Sequence, residues 1–311
     1  YGTLAANKSN AVLVCHALTG DQYLASPHPI TGKPGWWERM VGPQLPIDTD
    51  RHFVICANVI GSCMGSSGPA SIAPDGAPYA MRFPVITIRD MVRAQAMLLD
   101  HLGIARLHAV VGGSMGGMQA LSFAANWPER TRAVLVIAST ARHSAQNIAF
   151  HEVGRQAIMA DPKWEGGDYY AKGQPWQGLS TALAYITQDA LHPDGFNPRY
   201  PVISSDTALH QSISALPQAW QQLMTQARQR AEKQDANHIL YLVRASQLWR
   251  AGMGDNWQQA LGRVKAKTLF LPASGDLLLP PALSQHSAAV MNAAGNSAQY
   301  VEIPGSFGHL D

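Results

Sequence analysis

The run Gly112-Gly113-Ser114-Met115-Gly116-Gly117 places a serine between glycines, directly after an apolar segment and directly before a helix-forming one. A serine on so sharp a strand-to-helix turn has strained backbone angles, so small residues are needed at Gly112 and Gly116, where a Cβ would meet the neighbouring chain. The turn lifts the hydroxyl clear of the strand. It also aims a helix N-terminus, whose amides favour negative charge, at whatever the oxygen attacks. This is the setting of a serine nucleophile that forms a covalent ester. A glycine-rich turn with no chemistry is the weaker reading, because strand, turn and helix occur together.

A serine hydroxyl near neutrality attacks only if a base removes its proton. In the α/β-hydrolase fold, to which this elbow points, a carboxylate follows a later strand and the histidine comes near the end. Asp276, in Pro272-Ala273-Ser274-Gly275-Asp276, follows an apolar run ending at Leu271. His309, in Gly305-Ser306-Phe307-Gly308-His309, follows one ending at Ile303. Asp276 is preferred by position over Asp255 and Glu302. Most of the twelve histidines read as surface or core imidazoles, and only His309 has the place of a base. The amide of Met115 supplies one half of an oxyanion hole. The second amide is expected from His16-Ala17-Leu18-Thr19-Gly20, with Leu18 as donor. His16 finds no partner at metal-ligand spacing and is read as structural, so no metal is expected. Gly61 to Pro69 lacks the Gly-Lys-Ser/Thr ending of a phosphate loop and is read as a rigid loop near the pocket.

The elements needed to bring these residues together are legible. Apolar runs at Ala11 to Cys15, Phe53 to Ala57, Leu107 to Val111, Ala133 to Ala138, Thr268 to Leu271 and Gln299 to Ile303 are continuous, as in parallel strands covered on both faces. Thr87 and Asp90 form a capping-box pair that opens a helix ended by Gly103, and a second helix runs from Met115 towards Asn126. From about Ala141 to Leu261 the pattern turns helical, with stretches at Gln146 to Ala160, Ala208 to Lys233 and Asn237 to Ala251. The expectation is a doubly wound, mostly parallel α/β sheet, residues 1–140 and 262–311, with a helical lid, residues 141–261, inserted in it.

Composition narrows the partners. A formal net charge of +2 with 14% charged residues gives no basic face for nucleic acid and no polybasic membrane patch, leaving small-molecule substrates. Three cysteines without metal-type spacing point to a reduced, cytoplasmic setting. No run of about 18 apolar residues is present. The absence of an initiator Met and a start almost on a strand suggest a piece of a longer protein.

Taken together, His16 to Gly20, Asn58 to Pro69, Phe83-Pro84, Gly112 to Gln119, Gly154 to Ile158, Asp161-Pro162 and Gly166 to Tyr170 resemble the homoserine O-acetyltransferase family. The resemblance implies an α/β-hydrolase core with a lid often used for dimerisation, no permanently bound cofactor, and acetyl-CoA as co-substrate in a ping-pong reaction. Acetyl-CoA would acylate Ser114, and a small hydroxyl acceptor would take the acetyl group. The later sequence departs from the family pattern. Leu183 stands where the family has the arginine of a G-L-x-x-A-R-M stretch, Ala190 stands for a tyrosine, and Leu310 follows the histidine where the family tends to have aspartate, with Asp311 one later. These positions are implied to hold the acceptor, so Arg155, Arg199 or another lid cation would have to serve instead, with Asp311 on the amine side. Loss of the clamp also suits an esterase using water as acceptor. A catalytically silent binding protein is the third reading, and an intact Ser114, Asp276 and His309 speaks against it.

Overall fold

A computed structural model describes residues 1–202, 207–252 and 256–311. Its centre is a six-stranded sheet of β1 (Ala11–Cys15), β4 (Phe53–Ile55), β5 (Leu107–Gly113), β6 (Thr131–Ile137), β7 (Lys267–Leu271) and β8 (Ala298–Tyr300), in the order β4-β1-β5-β6-β7-β8. Every pairing in it is parallel. A small parallel pair, β2 (Val41–Gly42) and β3 (Ile47–Asp48), stands apart. The chain turns from one side of β1 to the other between β4 and β5, which is the doubly wound reversal at whose carboxyl edge such sheets place their sites. The side chains of β1 divide accordingly: Ala11, Leu13 and Cys15 pack into one core and Val12 and Val14 into the other. This explains why the strand reads as an unbroken apolar run.

Helix α1 (Ile88–His101) starts at the capping box, where Thr87 Oγ1 accepts from Asp90 N at 3.3 Å and Thr87 N donates to Asp90 Oδ2 at 3.0 Å. Helix α2 (Met115–Asn126) is buried from Met115 to Ala125, wedged between α1 and α9 (Trp257–Gly262) and against β1, β5 and β6. Helix α10 (Pro281–Ala293) closes the end at β7 and β8.

Between β6 and β7 lie α3 (Ala145–Met159), α4 (Trp176–Ala190), α5 (Pro193–Phe196), α6 (Ala208–Gln211), α7 (Gln218–Ala231) and α8 (Ala236–Gln247). All but α6 pack around a hydrophobic cluster of their own, including Ile158, Tyr169, Leu179, Leu183, Leu223 and Leu240. Several boundaries differ from expectation, among them that of the helix read to Ala251, which ends at Gln247. The stretch Ala208 to Lys233 is not one helix, because Pro217 has no N–H and biases Leu216 away from helical angles, so α7 starts at Gln218. The second sheet strand stops at Ile55 rather than Ala57. The last stops at Tyr300, and the chain then meets Pro272 and Ala273 only through a single bridge at Ile303. The segment Asp161 to Tyr170 is pinned to the start of α8. Tyr169 and Tyr170 hydroxyls donate to Asp235 at 2.7 and 3.2 Å, and Trp164 Nε1 donates to Asn237 Oδ1 at 3.0 Å. The aromatics of this segment pack and tie; none of these three lines the cavity described below.

Candidate active site

Ser114 follows β5 and caps α2 with φ 54° and ψ −123°, a conformation that a residue with a side chain adopts only under constraint. The constraint comes from close packing at the neighbouring glycines. A Cβ at Gly112 would stand 2.1 Å from Gly116 O, and one at Gly116 would stand 2.0 Å from Cys15 O. Ser114 N donates to Ile137 O at 2.9 Å, fixing the turn to β6.

Asp276 and His309 come from the loops beyond β7 and β8. His309 Nε2 lies 2.9 Å from Ser114 Oγ, and its Nδ1 lies 2.7 Å from Asp276 Oδ2. The other carboxylate oxygen accepts Leu279 N–H at 2.8 Å, and Asp276 is buried. A carboxylate held from both sides fixes the imidazole with its proton on Nδ1, leaving Nε2 to accept from the serine. Glu302, an alternative carboxylate by position, instead accepts from the Tyr300 hydroxyl on the surface, and Asp255 lies outside the described residues.

Leu18 and Met115 both line the cavity at Ser114, and among the described residues neither amide donates a hydrogen bond. Behind Leu18, the buried His16 braces the loop: its Nδ1 donates to Ala17 O at 2.9 Å and its Nε2 accepts Val59 N–H at 3.1 Å. Gln119 Nε2 donates to His16 O at 3.1 Å and its carbonyl accepts Gln95 Nε2–H at 2.8 Å, so α1 and α2 hold the same loop. Gly61 to Pro69 does not reach the cavity. It folds on itself, with Gly61 N donating to Ser67 O at 2.7 Å, and takes Gln22 Nε2–H on Met64 O.

The cavity holds about 380 Å³. Its wall is mostly apolar, from Met118, Ile137, Ile186, Leu278, Leu279 and Ile303, broken by Thr187, Arg230, Ser246, Asp311 and the imidazoles of His143 and His151. Those two rings lie 5.2 Å apart, and burial pushes them down to about 3 and about 4, so they are neutral at physiological pH. Through Ala17, Thr19, Trp36 and Arg230 the cavity adjoins an outer hollow of about 690 Å³. Among the described residues, no group of three or more His, Cys, Asp or Glu could hold a metal. No helix there is long and apolar enough to cross a membrane.

A sequence profile of the α/β-hydrolase fold matches residues 10–311. The homoserine O-acetyltransferase of Zymomonas mobilis subsp. mobilis is 49% identical over 99% of this chain and 84% of its own length. The chain belongs to the homoserine O-acetyltransferase family. It is thus an enzyme of the α/β-hydrolase superfamily. The homoserine O-acetyltransferase of Caulobacter vibrioides is also 49% identical, over 99% of this chain and 82% of its own length. Crystal structures agree: the homoserine O-acetyltransferase of Bacillus anthracis superposes with a TM-score of 0.95 at 31% identity, covering 100% of this chain and 86% of that one. An esterase superposes equally well, TM-score 0.95 at 38% identity, covering 100% and 87%.

Where this homoserine O-acetyltransferase relative departs from the family pattern, the structure is specific. Leu183 is buried in the hydrophobic cluster of the inserted helices, while Ala190, Leu310 and Asp311 line the Ser114 cavity. The expected substitutes for the missing arginine do not reach it. Arg155 pairs at 2.6 Å with Glu152, one turn away on α3, and Arg199 is exposed; neither is part of the lining. The Asp311 carboxylate accepts Gly308 N–H at 2.9 Å while lining the cavity. Sequence reasoning passed over Arg230, Thr187, His143 and His151. Nothing in their spacing marks them, because it is the folding of the insert over the sheet that brings them together.

Proposed function

We propose that this enzyme moves an acetyl group from acetyl-CoA to the hydroxyl of a small amino acid of the homoserine type, through an ester on Ser114. The observation that carries the reading is the hydrogen-bonded line from Ser114 Oγ through His309 to Asp276, ending in a cavity with two uncommitted amides. As Ser114 Oγ attacks the thioester carbonyl, His309 Nε2 takes its proton, and the carbonyl oxygen becomes an oxyanion received by the N–H groups of Leu18 and Met115. Collapse breaks the C–S bond. His309 returns the proton to the departing thiolate, CoA leaves, and acetyl-Ser114 remains. The acceptor hydroxyl then gives its proton to His309 as it attacks the ester, and collapse restores the serine with that same proton. Asp276 stabilises the imidazolium in both halves. In this reading residues 141–261 act as a lid over a core made of residues 1–140 and 262–311, supported by their separate hydrophobic cluster.

Ester hydrolysis is the second reading, favoured by Leu310 and Ala190 in the cavity wall and by the likeness to an esterase. Free thiol is followed with acetyl-CoA in the presence and absence of homoserine or serine, beside p-nitrophenyl acetate turnover without acceptor. Amino-acid-dependent thiol release is the expected result. Rapid ester turnover with no response to either amino acid would establish the esterase. Ser114→Ala should abolish both activities, and more than a few per cent remaining would remove the covalent intermediate from the scheme.

A further inference from the structure

Arg230, on α7, is the one lysine or arginine among the described residues lining the cavity that holds Ser114. Its guanidinium donates to Thr187 Oγ1, which in turn donates to Leu183 O at 2.8 Å. Among the described residues no carboxylate pairs with it. The neighbouring cation of the outer hollow is already spent: Lys233 Nζ lies 3.1 Å from Asp21 Oδ2, and the His28 ring lies 3.3 Å from the same oxygen. A half-buried guanidinium that faces only a hydroxyl carries a desolvation cost that an anion in its free donors would offset. Its planar fork matches a carboxylate. Burial works against the charge and so sharpens the need for that partner.

We infer that Arg230, anchored by Thr187, grips the carboxylate of the amino-acid acceptor and sets the preference for amino acids over plain alcohols. The inference rests on the transferase reading above. The choice of carboxylate over the phosphates of CoA follows from size. In homoserine the carboxylate lies a few bonds from the reacting hydroxyl and must share the roughly 380 Å³ chamber with Ser114. In acetyl-CoA the phosphates are separated from the thioester by the whole pantetheine arm and belong further out, towards the hollow that Lys33 also lines. Asp311 is the one carboxylate side chain in the same lining, so the chamber offers one group of each sign to a zwitterion.

The test compares homoserine with 3-aminopropan-1-ol, which is homoserine without its carboxylate, for wild type, Arg230→Gln and Arg230→Lys, following acceptor-dependent thiol release from acetyl-CoA. Wild type should prefer homoserine by about 10- to 100-fold in kcat/KM, the worth of a charge-assisted pair. Arg230→Gln should raise the homoserine KM by a comparable factor and erase the preference, and Arg230→Lys should recover part of it. An equal rise in the acetyl-CoA KM, or no preference in the wild type, overturns the assignment. If wild type transfers nothing to homoserine, the transferase reading fails by itself. Inhibition of p-nitrophenyl acetate turnover by homoserine then reads the site directly: inhibition weakened by Arg230→Gln upholds the carboxylate grip, and inhibition that is absent or unchanged in the variant overturns it.

Discussion

Replacing Asp276 by Asn changes almost no volume and tests the geometry at its most sensitive point. The carboxylate serves two donors, Leu279 N–H at 2.8 Å and His309 Nδ1 at 2.7 Å, and an amide has only one acceptor atom. If the amide oxygen stays on Leu279, its NH2 faces Nδ1 and forces the imidazole proton onto Nε2. There it points at Ser114 Oγ, 2.9 Å away, and the base can no longer accept. If the amide turns over, two N–H groups oppose one another in a buried site, at a cost of about 1–3 kcal/mol, and the imidazolium still lacks its counter-charge. In serine proteases, where the same triad arose independently, this substitution lowers kcat by about 10⁴ with the geometry intact, or about 5 kcal/mol of barrier. We expect a similar loss for Asp276→Asn in both p-nitrophenyl acetate turnover and acceptor-dependent thiol release, with the melting temperature within a few degrees of wild type. Activity within tenfold of wild type in a folded protein would refute the role given to the carboxylate.

Gly116→Ala places a methyl 2.0 Å from Cys15 O in a buried turn, so it should lower the urea midpoint by the equivalent of about 3 kcal/mol or more, or prevent accumulation of folded protein; a wild-type midpoint would count against the packing. His143 and His151, held near 3 and 4 when folded, bind protons more readily when unfolded, where the ordinary value is about 6.5. Their stabilising contribution is therefore complete above pH 6.5 and lost as the pH falls towards 4, with a slope of up to about 1.4 kcal/mol per pH unit for each histidine. Denaturant midpoints from pH 7.5 to 4.5 measure this, and a flat profile would contradict the burial. Burial also pushes the Cys56 and Cys63 thiols up to about 12 and Cys15 higher still. Iodoacetamide should label the native protein at pH 7.5 far more slowly than the unfolded chain, and equal rates would show the thiols open.

The parts of this site that could be read from the sequence are those fixed by local backbone. A strand, a glycine-flanked serine and a helix leave one sterically allowed turn, so Ser114 and its amide partner Met115 are written into six consecutive residues. Asp276 and His309 follow because the ends of parallel strands converge on one edge, whatever the loops contain. The acceptor side has no such rule. Arg230 sits in Gln226-Ala227-Arg228-Gln229-Arg230, which reads as a solvated helix face, and only the packing of α7 on α4 turns one arginine inward while Arg228 lies over the Trp176 ring. Arg155 is not free to serve, because Glu152 lies three residues earlier on the same helix and captures it. Pro217 is equally visible and marks the start of α7, although α6 already ends at Gln211.

Leu18 packs against both the main core and the separate core of the insert, while among the described residues its own amide donates no hydrogen bond at the edge of the Ser114 cavity. Its side chain thus touches both hydrophobic cores at once. On the proposed mechanism, a shift of the insert would be transmitted through Leu18 to the hydrogen bond that receives the developing charge. Substitutions on the far side of the cap, remote from the serine, can therefore alter turnover without touching any reacting group. Variation there offers a route for tuning the partition between water and alcohol while the elbow beneath stays unchanged.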